Sequence, residues 1–307
     1  MDSATYESIL AALLATPPTA FPHLSQIASK HSVEVPTVFS IYSQETQYQV
    51  MRTHREFVKA SKQLFRLYLL DQITIAEICT SWRLQPCLVW RRLFQSSSLL
   101  NGRVHPNQNN VPKKAINEVF KEPTVLASYV IDDAVSVLAK ELDLDELPRL
   151  YNSQDQLIEK ITKDVEEAVM IDMVMGPKSD EARRLAGLKY EGKLYEHLKE
   201  HDIAFWTEDE LRELNFIKTP DALLKVPIAV KGRVVTWIDS KATFADSRQH
   251  AKLLAEQYAG YINRFGPGCS IYWHSYLKDV EDSSPDLVVI DRWPRPEDLM
   301  QLPRNLQ

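Results

Sequence analysis

The stretch VVTWIDSKAT, residues 234–243, decides the fold class of the C-terminal part of the chain. Its period of two residues predicts a strand with four side chains on one face: Val235, Trp237, Asp239 and Lys241. The opposite face is also largely apolar, so we expect this strand to be buried. A buried carboxylate and a buried ammonium group are costly unless they are paired or bind something. The stretch therefore predicts either a structural ion pair between Asp239 and Lys241 or a polar site.

A second strand is predicted ahead of this one. The tripeptide Thr219-Pro220-Asp221 leads into the apolar segment ALLKVPIAV, residues 222–230. Taken alone, Pro-Asp is an ordinary turn dipeptide. Because proline cannot donate a hydrogen bond to a neighbouring strand, Pro227 predicts that this strand lies at a sheet edge, is bulged or is short.

A helix predicted over residues 180–200 carries one glutamate on its apolar side. At 100° per residue, Glu191 falls among apolar residues such as Leu188 and Leu194, whereas Glu196 falls outside that arc. Inward-facing glutamates without a partner are rare. A structural salt bridge to the strand lysine would explain this one.

A further predicted helix carries Gln257 and Tyr261, which are four residues apart and therefore share one face. Taken alone, a surface glutamine and a core tyrosine would explain this pair. Four motifs then follow in the order helix, strand, strand, helix: Glu191, Pro220-Asp221, Asp239-Ser240-Lys241 and Gln257-x-x-x-Tyr261. Over residues 176–292 this set resembles the PD-(D/E)XK nuclease family, whose resolvase-like and RecB-like branches carry a Gln-x-x-x-Tyr motif. The resemblance implies a C-terminal α/β domain of the restriction-endonuclease type.

The resemblance also implies a site for Mg²⁺, which Mn²⁺ can replace. In it, Asp221, Asp239 and the backbone carbonyl of Ser240 would bind the ion, and Glu191 would complete the site or help to hold a second ion. Hard divalent cations prefer oxygen ligands of this kind, and Mg²⁺ commonly uses one or two carboxylates. No histidine or cysteine is needed, which suits a sequence without a zinc pattern.

Three further side chains receive roles from the same resemblance. Lys241 would orient the attacking water and stabilise developing negative charge. Gln257 and Tyr261 would position the site or the substrate backbone. The implied activity is metal-dependent hydrolysis of DNA phosphodiester bonds. We expect selection of a DNA structure such as a junction, flap or loop, with selection of a DNA sequence as the alternative.

The N-terminal part is predicted to be helical and locally basic. The chain has a formal net charge of −6, yet residues 52–103 hold 9 basic and 3 acidic residues. In a helix predicted over residues 46–70, five cations three and four positions apart form a basic stripe: Arg52, Arg55, Lys59, Lys62 and Arg66. Like charges one turn apart repel each other, and a phosphate backbone would relieve that repulsion. The stripe predicts nucleic-acid contact, with a solvated helix face as the alternative.

A helix-turn-helix unit is predicted from Thr74 onward. Thr74 and Glu77 form a capping-box sequence, and Pro86 suits the first turn of the next helix, which carries Arg91 and Arg92. This layout is typical of DNA-binding units, in which the two arginines would face a groove. A weaker copy, LSQIASKHSVEVPTVFSIY, lies upstream at residues 24–42. We therefore expect two related helical units.

Length and composition indicate a globular protein of two or more domains. The 307 residues are 44% hydrophobic and 25% charged, which excludes a disordered or collagen-like chain. No stretch predicts a membrane span, and the N-terminus lacks the positive charge of an export signal. The predicted fold class is α+β, with an all-α N-terminal half. We predict a helical DNA-binding region at 1–110, an acidic helical connector at 111–175 and the nuclease domain at 176–307, with a polar linker over 96–113.

The three cysteines are too few and too scattered for a disulfide framework or a cysteine zinc site: Cys79, Cys87 and Cys269. They suit the reducing cytoplasm or nucleus, where we expect the protein to reside.

Over the whole chain the sequence resembles a family of nucleases that bind codanin. This resemblance implies codanin and DNA as partners, and a role in erythroid differentiation and chromatin.

Two other functions remain compatible with the sequence. The chain could be a catalytically silent relative that serves as a DNA-binding or adaptor subunit of a codanin complex. It could also be a transcription-factor-like protein whose C-terminal domain binds a partner. Four costly polar groups retained in one core favour the enzyme over both: Glu191, Asp221, Asp239 and Lys241.

Overall fold

The computed structural model describes residues 1–100 and 111–301. Within those residues, helices combine with a six-stranded mixed sheet, which confirms the predicted α+β fold class. The chain folds into two compact units. The sheet unit comprises Met1–Ala12, Leu24–Ile41 and Ala182–Gln307, and the helical unit comprises Leu13–His23 and Tyr42–Glu181. Residues 101–110 of the predicted linker lie outside the described residues, and the predicted divisions at 110 and 175 stay a prediction.

The helices are numbered here in chain order. They are α1 (Ser3–Leu14), α2 (Leu24–His31), α3 (Val35–Leu69), α4 (Ile75–Trp82), α5 (Pro86–Gln95), α6 (Val111–Lys121), α7 (Ala134–Leu142), α8 (Leu147–Leu150), α9 (Gln154–Ile171), α10 (Pro177–Glu200), α11 (Glu208–Glu213), α12 (Ser247–Leu253) and α13 (Ala259–Phe265). A π-helical turn, Leu254–Tyr258, joins α12 to α13.

The strands form one sheet in the sheet unit. They are β1 (Phe205–Thr207), β2 (Ala222–Val230), β3 (Arg233–Lys241), β4 (Gly268–Tyr272), β5 (Leu287–Ile290) and β6 (Leu299–Gln301). The order is β1-β2-β3-β4-β5, and β6 also pairs with β2. Strands β1, β3 and β6 run antiparallel to β2, whereas β3, β4 and β5 are parallel to one another. The predicted helix–strand–strand–helix order is therefore present as α10, β2, β3 and α12–α13.

The irregularity expected at Pro227 is present as a bulge. The register between β2 and β3 shifts between Leu223 and Ile228, which flank the proline. The strand is not at an edge, because β3 pairs with one of its sides and β1 and β6 pair with the other. The bulge lets a residue without an N–H donor lie inside a sheet.

Helix α10 is held on the sheet by the leucines of its buried face. Leu194 and Leu198 are fully buried and belong to the same apolar cluster as Val235, Ile238 and Ile271 of the strands. Burial of each such side chain contributes roughly 1.5–3 kcal/mol. This packing fixes the helix that carries Glu191 against the strands that carry the two aspartates.

The N-terminal segments of the sheet unit bind to its C-terminal part. The amino group of Met1 donates to the carbonyl of Tyr276 at 2.7 Å. The ring of Tyr6 stacks on Phe244 at 5.7 Å, and the backbone N–H of Phe244 donates to the hydroxyl of Ser40 at 2.7 Å. Residues from both ends of the chain thus stabilise this unit.

The helical unit has its own apolar core. Its fully buried members come from most of its helices: Phe65, Ile78, Val89, Trp90, Leu93, Ile116, Val119, Leu138, Leu157, Ile161 and Val165.

No helix within residues 1–100 and 111–301 is long and apolar enough to cross a membrane.

The predicted helix boundaries around Thr74 are confirmed. The Thr74 side chain caps α4 and Glu77 completes the capping box, while Arg83 ends the helix in the left-handed region at φ 51°. Helix α5 begins at Pro86. Helix α3 is longer than predicted and includes the second helix of the upstream copy. The separation expected there is wrong because no glycine or proline interrupts the chain between residues 37 and 69.

A close contact between β3 and β4 gives a stability prediction. Gly268 pairs with Trp237, and a Cβ at Gly268 would lie 2.0 Å from Cε2 of the Trp237 ring. The ring is fully buried and its Nε1 donates to the carbonyl of Gly266 at 2.8 Å, so it has little freedom to move. We expect Gly268→Ala to lower the free energy of unfolding by about 3 kcal/mol, measured by urea denaturation.

The matched control is Gly260→Ala in helix α13. A Cβ at Gly260 would meet no atom within 4 Å, so this change should raise stability by about 0.5–1 kcal/mol. An unchanged urea midpoint for Gly268→Ala would contradict the prediction, because it would show that the protein accommodates the added methyl group beside Trp237 without loss of stability.

Candidate active site

Strand β3 brings Asp239 into the interior of the sheet unit. The residue is 0% exposed, and neither of its carboxylate oxygens accepts a hydrogen bond from a described residue. The Lys241 ammonium forms an ion pair with Oδ2 at 2.5 Å. Oδ1 therefore has neither a hydrogen-bond donor nor an ion-pair partner among the described residues. A buried carboxylate oxygen without a partner is costly, and a cation would remove that cost.

Asp221 lies beside Asp239 at the start of β2. The neighbouring pair Ala222 and Ile238 sets the register, and the backbone N–H of Ser240 donates to Asp221 Oδ2 at 2.6 Å. Burial raises the pKa of the Asp221 carboxyl well above its ordinary value, and the charge of Asp239 raises it further. Two carboxylates in one buried place repel each other, so the site favours a positive ligand.

The lysine keeps its positive charge in this environment. Burial alone would lower the pKa of Lys241, but the negative charges of Asp239 and Asp221 outweigh burial and raise the pKa above its ordinary value. The structure thus brings together Asp221, Asp239, Ser240 and Lys241, as the resemblance implied. Their roles in binding and catalysis stay a prediction.

Glu191 is connected to this group through a tyrosine that the sequence analysis missed. The Tyr195 hydroxyl lies 2.6 Å from Glu191 Oε1 and 3.0 Å from the backbone carbonyl of Asp221, and can donate to either oxygen. Tyr195 follows Glu191 by four residues, a spacing that places both on one helix face and was available in the sequence.

The apolar surroundings expected for Glu191 are present on one side only. Leu194 is buried, whereas Leu188 is 53% exposed. The salt bridge suggested between Glu191 and Lys241 is absent from the described residues, because the lysine pairs with Asp239 instead. Glu191 is half-buried and remains accessible to an additional ligand.

Gln257 and Tyr261 act on the segment that leads into β2. The Gln257 amide donates to the Tyr261 hydroxyl at 2.7 Å, and that hydroxyl donates to the backbone carbonyl of Thr219 at 2.7 Å. Burial and then the charge of Asp239 raise the pKa of Tyr261 to about 12, so the hydroxyl keeps its proton. Whether this pair positions the site or the substrate backbone stays a prediction.

A buried polar network lies behind Asp239. Ser270 pairs with Asp239 across β3 and β4, and its hydroxyl is 2.8 Å from that of Tyr258. The Tyr258 hydroxyl lies 3.4 Å from that of Tyr272, which lies 2.9 Å from His250 Nδ1. Burial lowers the pKa of His250 to about 4, so the ring is neutral at pH 7. These residues are too far apart in sequence for a spacing pattern to reveal them.

The donor set fits a magnesium or manganese ion through oxygen atoms. Within residues 1–100 and 111–301, no three or more His, Cys, Asp and Glu side chains form a ready metal-binding group. Mg²⁺ does not need one, because it usually takes one or two carboxylates and fills its remaining positions with water and phosphate. The free oxygen of Asp239 beside Asp221 satisfies that requirement.

The residues of the basic stripe differ in their partners. Arg52 is ion-paired with Glu45, and Lys59 contacts Glu56 at 3.2 Å with both side chains exposed. The other three make no ion pair among the described residues: Arg55 and Lys62 are exposed, and Arg66 is half-buried. An exposed ion pair such as Lys59–Glu56 contributes little, about 0–1 kcal/mol, whereas Arg52 is bound more firmly, since the Glu45 side chain is only 13% exposed.

The two arginines of α5 already have partners within the helical unit. Arg91 donates to Asn117 at 3.0 Å and lies 5.4 Å from the centre of the Phe120 ring. Arg92 donates to Gln95 at 2.8 Å, and its other terminal nitrogen lies 3.2 Å from Nδ1 of His54. Groove contact by Arg91 and Arg92 stays a prediction.

Comparison with known proteins gives a family and several relatives. Residues 157–293 match a family described as "Protein of unknown function TPD sequence-motif". The protein named CDAN1-interacting nuclease 1 of Danio rerio is 30% identical over 253 residues, which cover 80% of this chain and 73% of the relative. The Homo sapiens protein of the same name is 27% identical over 298 residues, covering 92% of this chain and 90% of the relative. No solved structure matches the chain.

The buried histidine gives a pH prediction. Since the pKa of His250 falls from 6.5 to about 4 on folding, the unfolded chain binds a proton between these pH values and the folded chain does not. Above pH 6.5, His250 therefore does not change the free energy of unfolding. As the pH falls from 6.5 toward 4, protonation of His250 in the unfolded chain lowers that free energy by up to about 1.4 kcal/mol per pH unit.

The His250→Gln variant tests this directly. Glutamine cannot titrate, so the loss of stability between pH 6.5 and 4 should be smaller for the variant than for the wild type, by roughly 3 kcal/mol in total. Urea denaturation at several pH values measures it, and pH 8, where both side chains are neutral, is the internal reference. Parallel curves of unfolding free energy against pH for the two proteins would contradict the prediction, because His250 would then bind a proton as readily in the folded state as in the unfolded state.

Proposed function

Since the chain belongs to the family of CDAN1-interacting nucleases, we propose that it is a divalent-metal-dependent nuclease that hydrolyses DNA phosphodiester bonds. The observation that carries this proposal is the buried Asp239, whose Oδ1 accepts no hydrogen bond from the described residues. Asp221 lies beside it with a raised pKa. Lys241 pairs with one oxygen of Asp239 only, and a bound divalent ion would give the buried second oxygen a partner.

The proposed metal ligands are Asp221, Asp239 and the backbone carbonyl of Ser240, with Glu191 completing the site. Tyr195 would hold Glu191 in place, because its hydroxyl reaches both the Glu191 carboxylate and the backbone of Asp221. The ion would be Mg²⁺, with Mn²⁺ as a substitute. A bound divalent ion supplies Lewis-acid polarisation of the scissile phosphate.

The chain's own groups supply the remaining functions. Lys241 is positive and held by Asp239, so it can orient a water molecule and stabilise charge that develops on the phosphate. The chain of hydrogen bonds from Gln257 through Tyr261 to Thr219 fixes the backbone two residues before Asp221. Fixed ligands need no reorganisation when substrate arrives.

The order of elements supports membership of the PD-(D/E)XK fold family. Helix α10 carries Glu191, β2 follows Asp221, β3 carries Asp239 and Lys241, and the helix after β3 carries Gln257 and its partner tyrosine. The antiparallel pairing of β2 with β3 supports the proposal, because the start of β2, next to Asp221, lies beside the end of β3, where Asp239 and Lys241 are.

DNA binding is proposed for the helical unit. Helices α4 and α5 with their capped turn would form a helix-turn-helix unit, and the basic stripe of α3 would contact phosphates. Phosphate contacts carry no sequence information, so selection of a DNA structure suits this arrangement. Codanin is proposed as a protein partner because relatives are named for that interaction. Residence in the nucleus and cytoplasm and the erythroid role stay predictions.

The first test is cleavage of a panel of DNA structures by the full chain with Mg²⁺, Mn²⁺ or EDTA. We expect metal-dependent cleavage that Asp239→Asn reduces to the level seen with EDTA, because the metal loses its buried ligand. Lys241→Ala should slow cleavage by about 10²–10³-fold. Calorimetric titration with Mn²⁺ should show divalent binding that Asp239→Asn removes.

Asp286→Asn is the matched control, because Asp286 is an exposed aspartate of the same unit; this variant should cleave and bind as the wild type does. The adaptor hypothesis predicts that the chain binds DNA without cleaving it and that divalent binding does not depend on Asp239. It would be favoured if the wild type binds DNA, cleaves none of the panel and retains its divalent binding in Asp239→Asn.

The basic stripe gives a second test. We expect Arg55→Ala combined with Lys59→Ala and Lys62→Ala to weaken DNA binding. The slope of log K against log salt should flatten by about 0.9 for each lost phosphate contact. Fluorescence anisotropy over a series of salt concentrations measures both effects.

A control triple removes the same charge from elsewhere in the helical unit: Lys140→Ala, Arg149→Ala and Lys163→Ala. These three cations are exposed on helices α7 to α9, outside the basic stripe, and should leave the salt slope unchanged. Equal slopes for the stripe variant and the wild type would identify the stripe as a solvated helix face.

A further inference from the structure

An exposed apolar loop precedes the candidate active site. Residues 214–218 connect α11 to Thr219-Pro220-Asp221, and three of them expose large hydrophobic side chains. Leu214 is 56% exposed, Phe216 39% and Ile217 76%. Exposed single hydrophobics are common, and the Phe216 ring lies 6.0 Å from the ring of Phe265. Ile217, at 76% exposed, has most of its side chain in solvent next to a proposed catalytic carboxylate, which packing does not explain.

The backbone of this loop is fixed by several contacts. Asn215 and Lys218 adopt the left-handed region at φ 64° and φ 55°, and the N–H of Phe216 donates to the carbonyl of Leu211 at 3.0 Å. The Arg264 guanidinium donates to the carbonyl of Ile217. The loop therefore presents the Ile217 side chain outward from a held backbone.

Two cations, Lys218 and Arg264, lie beside the exposed Ile217. The Lys218 ammonium donates to the backbone carbonyl of Glu256 at 3.2 Å, and Arg264 is bound to a backbone carbonyl as well. Neither cation makes an ion pair among the described residues, so their charges are not neutralised. An apolar tip flanked by cations matches a nucleic acid, which offers base faces and phosphates together.

We propose that Ile217, supported by Phe216, is a wedge that contacts unstacked bases of the DNA substrate next to the cleaved bond. The proposal rests on the proposed nuclease function and names its substrate class: duplexes whose base stacking is interrupted by a bulge, nick or junction. Apolar wedges between base steps are a recurring device of DNA-binding proteins. Unstacking is least costly where the duplex is already weakened, so the wedge selects such places without reading sequence.

Position along the chain supports this role. Ile217 lies four residues before Asp221, and the carbonyl of the intervening Thr219 is held by Tyr261. A displaced base at Ile217 and a phosphate at Asp221 would thus be bound by one continuous segment. The loop would couple recognition of a weak stack to placement of the phosphate.

The test uses the full chain and 2-aminopurine, a base whose fluorescence rises when it is unstacked. The probes are a duplex with a two-nucleotide bulge and the same duplex fully paired. Ca²⁺ replaces Mg²⁺ so that binding can be followed without cleavage. We expect wild type to raise the fluorescence beside the bulge. Ile217→Ser should abolish the rise and reduce the preference for bulged over paired DNA by at least about fivefold.

Two variants make the result specific. Met300→Ser removes a hydrophobic side chain of the same unit that is 71% exposed and lies on β6, and it should behave as wild type. Ile217→Trp restores a large apolar surface and should restore the fluorescence rise. Since Ile217 is largely exposed, its substitutions should leave the unfolding midpoint unchanged.

The wedge would be overturned if Ile217→Ser kept both the fluorescence rise and the bulge preference. A loss of codanin binding with unchanged DNA behaviour would overturn it too and make the loop a protein contact. The fluorescence readout needs no cleavage, so it separates the two proposals. A wild type that unstacks the bulge but cuts nothing contradicts the nuclease and leaves the wedge supported, and a wild type that binds no DNA contradicts both.

Discussion

Two carboxylates and one lysine lie close together, Asp221 directly before β2 and Asp239 with Lys241 on the adjacent β3, and the Asp239 side chain is fully buried. This burial is the constraint on which the rest of the sheet unit depends. An ionised carboxylate loses several kcal/mol of hydration in such a place, and the contact with Lys241 replaces that hydration at one oxygen only. The surrounding elements must therefore hold these groups together against their own repulsion. Their packing performs that task, because Trp237 and Ile238 flank Asp239 and are themselves fully buried.

Tyrosine hydroxyls provide the finer control of this geometry. Tyr195 connects Glu191 to the backbone of Asp221, and Tyr261 connects α13 to the carbonyl of Thr219. Both pKa values are raised by burial, so each phenol keeps its proton and remains a donor. A side chain that donates to a backbone carbonyl fixes position without adding charge. In a site that already contains three carboxylates, a neutral donor is the least disruptive way to join helices to strands.

The sequence was sufficient for what depends on local patterns. Strand alternation placed Asp239 and Lys241 on one face, and the capping box at Thr74 marked the start of α4. Pro227 predicted a strand that is at an edge, bulged or short, and of these alternatives the structure has the bulge. Contacts between distant residues were not accessible in this way. The Met1 amino group binds the carbonyl of Tyr276, 275 residues away. The network that links Ser270 to His250 is assembled from strand β4, the π-helical turn and helix α12. Helix α3 was divided in the prediction because a sequence copy, rather than a breaker, suggested a boundary.

The charges of the candidate site argue for a cation before any substrate arrives. Asp221 and Asp239 together carry two negative charges when ionised, Lys241 returns one, and Glu191 is held nearby through Tyr195. A phosphodiester approaching these groups without a metal would meet net negative charge and be repelled. A divalent ion bound to the free Asp239 oxygen would offset two of these negative charges, so the same carboxylates that repel a phosphodiester would instead hold the ion that binds it. The buried acidic residues and the anionic substrate proposed for this chain are compatible through that ion.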